Sequence, residues 1–159
     1  METIITIDFL KNHPQAIPVL AKIWLEVLGK IWMPEVSVDE AESLYYQELQ
    51  QEMPLTYVAL YNHIPVGSCT LELNCGIRPN LSPWLGDLVV APAYQKQRVG
   101  KKLVDVAIEK TKRLGFERLY LFTFDPTIPA YYERLGWRKI GMDEFNNHPV
   151  TLMEISLMH

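Results

Sequence analysis

The chain has 159 residues, 48% of them hydrophobic and 21% charged, with a net charge of −4. That length suits one domain with a full core, and the acidic balance argues against nucleic acid as a partner. No apolar run approaches the ~20 residues a bilayer demands, and the opening "METIITIDFL" has no positive n-region or signal-type apolar core, so a single cytoplasmic domain over 1–159 with no membrane contact is expected.

Residues 2–7, "ETIITI", read as a short first strand. In residues 13–29, Ile17, Leu20, Ala21, Trp24 and Leu28 fall on one helical face. Gly29 reads as that helix's stop, with a break over 30–36. Ser37 followed by Glu40 is a capping box, predicting a second helix to about Glu52, before Pro54. Residues 55–61 and 64–75 read as a hairpin around Asn62-His63, although the glycine usual in such a turn is missing. Residues 76–83 are loop. "WLGDLVV", Trp84 to Val90, is a nearly continuous apolar strand, expected at the centre of a sheet. A helix over 97–114 buries Val99, Leu103, Val106 and Ala107 and ends at Gly115. Residues 118–124 are a strand. The short helix over 125–136 is capped by Asp125 or Thr127 and followed by Gly136. Two last strands, 137–142 and 148–157, flank a loop, "DEFNN". The order β-α-α-β-β-β-α-β-α-β-β makes this an α+β chain.

Few residues suggest a metal or a disulfide. His13, His63, His148 and His159 stand singly, so no metal site is expected. Cys69 and Cys75, without an export signal, are expected as free thiols. The cations are more telling. Lys96, Arg98, Lys101 and Lys102 crowd one turn of an acidic chain, between the strand ending at Val90 and the helix that follows. A helix N-terminus carries free N–H groups and about half a positive charge, a geometry that binds phosphates. Gly100 allows a ligand close to the backbone. Neither G-x-G-x-x-G nor G-x-x-x-x-G-K-S/T occurs here, which disfavours dinucleotide and nucleoside triphosphate sites.

This stretch, V-x-P-x-Y-Q-K-Q-R-V-G-K-K-L from Val90 to Leu103, resembles the acetyl-CoA loop of the GCN5-related N-acetyltransferases, as found in small bacterial members. The family pattern Gln/Arg-x-x-Gly-x-Gly/Ala reads here as Gln95, Lys96, Gln97, Arg98, Val99, Gly100, with arginine in place of the first glycine. A second block, Y-Y-E-R-L-G-W from Tyr131 to Trp137, is similar to the family's F-Y-E-K-L-G-F. Upstream of it, Asp125 stands where the family often has an asparagine against the pantetheine arm. The resemblance implies a mixed, mostly antiparallel sheet of about seven strands with about four helices, splayed between strands 4 and 5. It implies acetyl-CoA as co-substrate. Its pyrophosphate would lie on the backbone amides of Gln95, Lys96, Gln97, Arg98, Val99, Gly100 and Lys101. Its pantetheine would run along Leu88, Val89 and Val90 and past Asp125. Tyr132 matches the family's general acid.

Moving an acetyl group to an amine requires the amine to lose a proton, the carbonyl to be polarised and the thiolate to be stabilised. Two carboxylates are candidate bases. Asp87 lies inside the central strand, where a carboxylate is expensive without a purpose. Glu72 alternates with Leu71 and Leu73 in the neighbouring strand. Trp32, Met33 and Trp84 are candidate walls of an acceptor pocket. The expected reaction acetylates a primary amine of a small molecule or peptide by direct attack on the thioester. The competing expectation is a non-catalytic acyl-CoA-binding or regulatory module. A monomer and a homodimer fit equally.

Overall fold

The computed structural model describes residues 4–49 and 52–158. Its seven strands form a sheet in the order β1-β2-β3-β4-β5-β7-β6, with β4, Trp84–Val90, in the middle as its apolar run predicts. The chain divides into two compact units. One comprises 1–71 with 87–107, and the other 72–86 with 108–159.

In the first unit, β1 (Ile5–Phe9) pairs antiparallel with β2 (Leu55–Tyr61), and β2 with β3 (Ile64–Glu72). The strand expected over 2–7 thus runs later, and its start at Glu2 lies outside the described residues. The Asn62-His63 turn has φ of 48° and 74°. Both residues take the left-handed form that a two-residue hairpin needs, which asparagine tolerates without glycine.

The first helical arm runs farther than its sequence suggests. Helix α1 (Ile17–Trp24) continues through a π turn (Leu25–Gly29) into α2 (Lys30–Trp32). Gly29 is therefore not a stop. Its φ is an ordinary helical −58°, and a Cβ there would lie 2.7 Å from Trp24 Cζ3 and 2.9 Å from Leu25 Cδ2. The glycine makes room for the indole. Helix α3 (Val38–Tyr46) opens with the expected capping box, Ser37 and Glu40 exchanging side-chain and backbone hydrogen bonds. It ends at Tyr46 rather than near Glu52, and Gln50 and Gln51 lie outside the described residues. Leu20, Trp24, Tyr45, Val58 and Val89 belong to the core of this unit. Gly67 lets β3 approach β4: a Cβ there would come within 2.7 Å of the Val89 carbonyl oxygen.

Helix α4 (Val99–Arg113) buries Val99, Leu103, Val104 and Ala107. Val106, expected in that stripe, is half-buried. Gly115, with φ of +89°, follows the helix, and its amide donates to the Lys112 carbonyl.

In the second unit, β5 (Arg118–Thr123) pairs antiparallel with β7 (His148–Ser156), and β7 with β6 (Arg138–Phe145). The parallel register of β4 with β5 falls at Trp84↔Tyr120, the first residue of β4. The expected loop "DEFNN" shrinks to a tight turn, because Asp143, Glu144 and Phe145 extend β6 and Asn146 and Asn147 take left-handed φ of 47° and 65°. Helix α5 covers Ile128–Arg134. Buried Glu154 on β7 is paired with Arg138 and, at 3.6 Å, with Arg118, so its charge is compensated from both neighbouring strands. Cys69 and Cys75 are free thiols.

Candidate functional site

The first unit carries the basic turn. Ala91 N–H donates to the Val66 carbonyl at 2.8 Å, tying the end of β4 to β3. A short 3-10 turn, Pro92–Tyr94, follows, with the Tyr94 ring 5.0 Å from that of Tyr61. Gln95 Nε2 then donates back to the Val90 carbonyl at 3.0 Å and closes the loop onto the strand it left. Lys96 and Arg98 take φ of 67° and 65°. Left-handed residues in such a turn curve the backbone into a concavity where N–H groups gather around an anion. The Arg98 carbonyl accepts the Lys102 N–H at 3.1 Å, so α4 begins immediately after it. The N–H groups at 99–101 fall in the first turn, where an α-helix supplies no partner.

Two features bear on the family motif. Arg98 stands where glycine is usual, and its backbone holds the left-handed conformation a glycine would give, while its side chain is exposed. The loop keeps the path despite the substitution. Gly100 has no packing reason to be glycine: a Cβ there would meet Val90 Cγ2 at 3.8 Å, an ordinary contact. The space above the helix start is left open. Val99 is 1% exposed and anchors the turn in the core, so it can offer a ligand its backbone alone. Val89 is likewise buried, between half-buried Leu88 and Val90. Lys101 Nζ is paired with Asp105 at 2.8 Å along the helix surface, whereas Lys96, Gln97 and Lys102 are exposed.

Asp87 lies in the same unit, in the body of β4, with a left-handed φ of 49°. Its Oδ1 accepts the indole N–H of Trp24 at 3.1 Å. By surface area the residue is exposed, yet the protein surrounding its carboxylate is as dense as an interior. The carboxylate is thus reachable but poorly hydrated. That desolvation raises its pKa above the ordinary carboxylate value, and the Trp24 hydrogen bond partly opposes the rise. Close by, Tyr45 Oη and Ser68 Oγ share a 2.8 Å hydrogen bond. The Tyr45 phenol and Cys69 thiol are both pushed up, first by burial, with the Asp87 charge adding to each, so both stay neutral beside it. Trp32 and Met33 are half-buried, and Met33 packs on the core of this unit.

The second unit holds the remaining candidates. Tyr132 on α5 is 7% exposed, edge-on to Tyr131 at 5.5 Å and to Trp137 at 5.6 Å. Glu72, at the end of β3, is half-buried, and a Cβ on Gly86 would lie 3.2 Å from its Oε1. Asp125 Oδ1 accepts from both the backbone N–H of Thr127 (2.9 Å) and its hydroxyl (2.7 Å). These bonds hold its pKa below the usual carboxylate range, and it organises the entry to α5 as an ionised acceptor. Trp84, expected as a pocket wall, opens β4 and packs inward. It is 1% exposed, its indole N–H donates to the Leu81 carbonyl at 2.8 Å, and it packs on Tyr120 and Phe122. A tryptophan opening a central strand is drawn into the core by its own area. Sequence reasoning missed Trp24 as the partner of Asp87, since helical spacing marks it as core. The available signal was its polar edge, because a buried indole N–H usually finds a partner. No cluster of metal-ligating side chains occurs among the described residues.

A mostly antiparallel seven-stranded sheet, with a basic turn between its central strand and the next helix, defines the class of small α+β acyltransferase folds. The sequence model of the acetyltransferase (GNAT) family matches residues 21–137, and the chain belongs to that family. N-alpha-acetyltransferase 30 of Saccharomyces cerevisiae is 29% identical over 112 residues, covering 65% of this chain; the chain thus spans 64% of that curated relative's length. Among solved structures, a putative phosphinothricin N-acetyltransferase superposes with a TM-score of 0.76 at 18% identity, covering 98% of this chain and all of that one. An aminoglycoside 6'-N-acetyltransferase complexed with coenzyme A superposes with a TM-score of 0.74 at 20% identity, covering 98% of each chain. At these identities the superpositions establish the fold.

Proposed function

We propose that this chain transfers the acetyl group of acetyl-CoA to a primary amine of a small molecule or peptide. The observation that carries the reading is the turn after β4, with left-handed Lys96 and Arg98 and an unfilled Gly100 over a helix N-terminus. The backbone amides from Gln95 to Lys101 bind the pyrophosphate, and Lys96, Arg98 and Lys102 add positive charge. The pantetheine follows the backbone of Leu88 to Val90, where an N–H receives the developing oxyanion. The coenzyme A in the aminoglycoside acetyltransferase structure supports the choice of ligand. We read residues 1–159 as one domain because β4 contributes residues to both units. The free thiols favour a reducing compartment, hence the cytoplasm.

Asp87 is the base we favour over Glu72, because it is reachable, poorly hydrated and held by a donor. It takes one proton from the ammonium form of the acceptor and passes it to solvent. The neutral nitrogen attacks the thioester carbonyl, the C–N bond forms, and the C–S bond breaks. Tyr132, assigned by its motif, gives a proton to the thiolate, and the second nitrogen proton, lost through solvent as the amide forms, restores the Tyr132 phenol. The sum is amide, thiol and one released proton. A thiol-release assay over a panel of amines, including aminoglycosides and peptide N-termini, tests this. Acetyl-CoA-dependent thiol release with at least one amine, reduced about a hundredfold or more in Asp87→Asn, is expected. Binding of acetyl-CoA without release across the panel would make the chain a binding module.

A further inference from the structure

Trp24 and Asp87 are 63 residues apart, and their hydrogen bond is built with unusual care. The indole is buried to 7% exposure in the core of the first unit. Immediately after it the helix widens into a π turn, Leu25–Gly29, whose last residue lies five positions beyond Trp24. A widening of this kind adds one residue per turn, which sets residue i+5 beneath residue i. Gly29 accordingly lies under the six-membered ring of Trp24, where a Cβ would stand 2.7 Å from Cζ3 and 3.0 Å from Cε3. Neither the π turn nor the glycine favours a helix, since glycine costs about 1 kcal/mol there relative to alanine. Both are explained by seating the ring. The other partner is shaped as well: Asp87 takes a left-handed φ inside a strand, a strain that clusters at functional sites.

We propose that Trp24 is a positioning residue, whose indole N–H, seated by the Gly29 π turn, engages Oδ1 of Asp87 and turns Oδ2 toward the acceptor amine as the proton-accepting atom. This rests on the reading of Asp87 as the base. A donor to one carboxylate oxygen fixes the plane of the group and favours its charged form. The titratable groups that feel Asp87 are Tyr45 on α3 and Cys69 on β3. Both are neutral, and the Trp24 N–H donates to the carboxylate and holds it ready.

Carboxyl carbon-13 NMR of aspartate-labelled protein tests the idea without knowledge of the acceptor. The Asp87 signal is assigned by its loss in Asp87→Asn. In Trp24→Phe, which keeps a ring but removes the donor, the Asp87 titration should move to higher pH. In Gly29→Ala, which displaces the indole, it should move the same way, giving a second route if one variant folds poorly. With an active amine, kcat/KM should fall about tenfold in both, the worth of one charge-assisted hydrogen bond, its acidic limb should follow the NMR shift, and KM for acetyl-CoA should not change. An unmoved Asp87 titration in a folded variant overturns the positioning role even if activity drops. Full thiol release by Asp87→Asn overturns the base assignment itself, and with it the role given to Trp24.

Discussion

At Arg98 two residue-scale effects oppose each other. A non-glycine residue in the left-handed region costs about 1–2 kcal/mol, while replacing it by glycine loosens the unfolded chain at a cost of about 0.4–1 kcal/mol. Arg98→Gly should therefore gain about 0.5–1 kcal/mol in urea unfolding, and it should weaken acetyl-CoA binding modestly by removing one exposed cation. A loss of more than 1 kcal/mol would mean the loop does not hold the backbone described. Asp87 gives a prediction with a sign. Its pKa is raised on folding, so its contribution to stability is fully present below the unfolded carboxylate value near 4 and is lost as pH rises through the folded value. Asp87→Asn should be more stable than the parent at pH 7 by a margin that shrinks toward pH 4. Parallel unfolding curves at the two pH values check this. The same residue shows what a sequence can tell: a carboxylate inside an apolar strand stood out at once as a candidate, but its donor did not, because contact between positions 24 and 87 depends on tertiary structure. Trp84 is the converse case: its burial was not legible, since a large aromatic in a strand carries no mark of which side it faces.

Among the elements, the strands and α4 were legible because apolar runs and helical periodicity act over many residues. Boundaries and breaks were harder. Gly29 looks like a stop signal, and its local context offers no hint that a ring lies over it. The two readings differ in measurable sign. If Gly29 merely ended a helix, Gly29→Ala would be neutral or stabilising by up to about 1 kcal/mol. With an indole carbon 2.7 Å from the new methyl, it should instead destabilise by about 1–3 kcal/mol, the usual cost of overpacking. Thermal unfolding of this variant decides between them. The loop "DEFNN" was overestimated for a related reason: alternating Asp143, Glu144 and Phe145 read as polar chain, but pairing with His148, Pro149 and Val150 on β7 makes them strand, leaving Asn146 and Asn147 to turn.

For the whole molecule, topology and family were readable from the order of elements and two short motifs. Acceptor choice was not, since it depends on loop shape, which varies freely on such scaffolds. The central claim is that the turn between β4 and α4 exists to hold the phosphates of coenzyme A. Its most direct test is calorimetric titration of acetyl-CoA into the parent chain and into Gly100→Trp. The substituted Cβ would meet nothing nearer than Val90 Cγ2 at 3.8 Å, so the fold should survive, with stability within about 1 kcal/mol of the parent. The parent should bind and the variant should bind at least tenfold more weakly, its ring occupying the space above the helix N-terminus. Equal binding by both, or no binding by a folded parent, would contradict the claim.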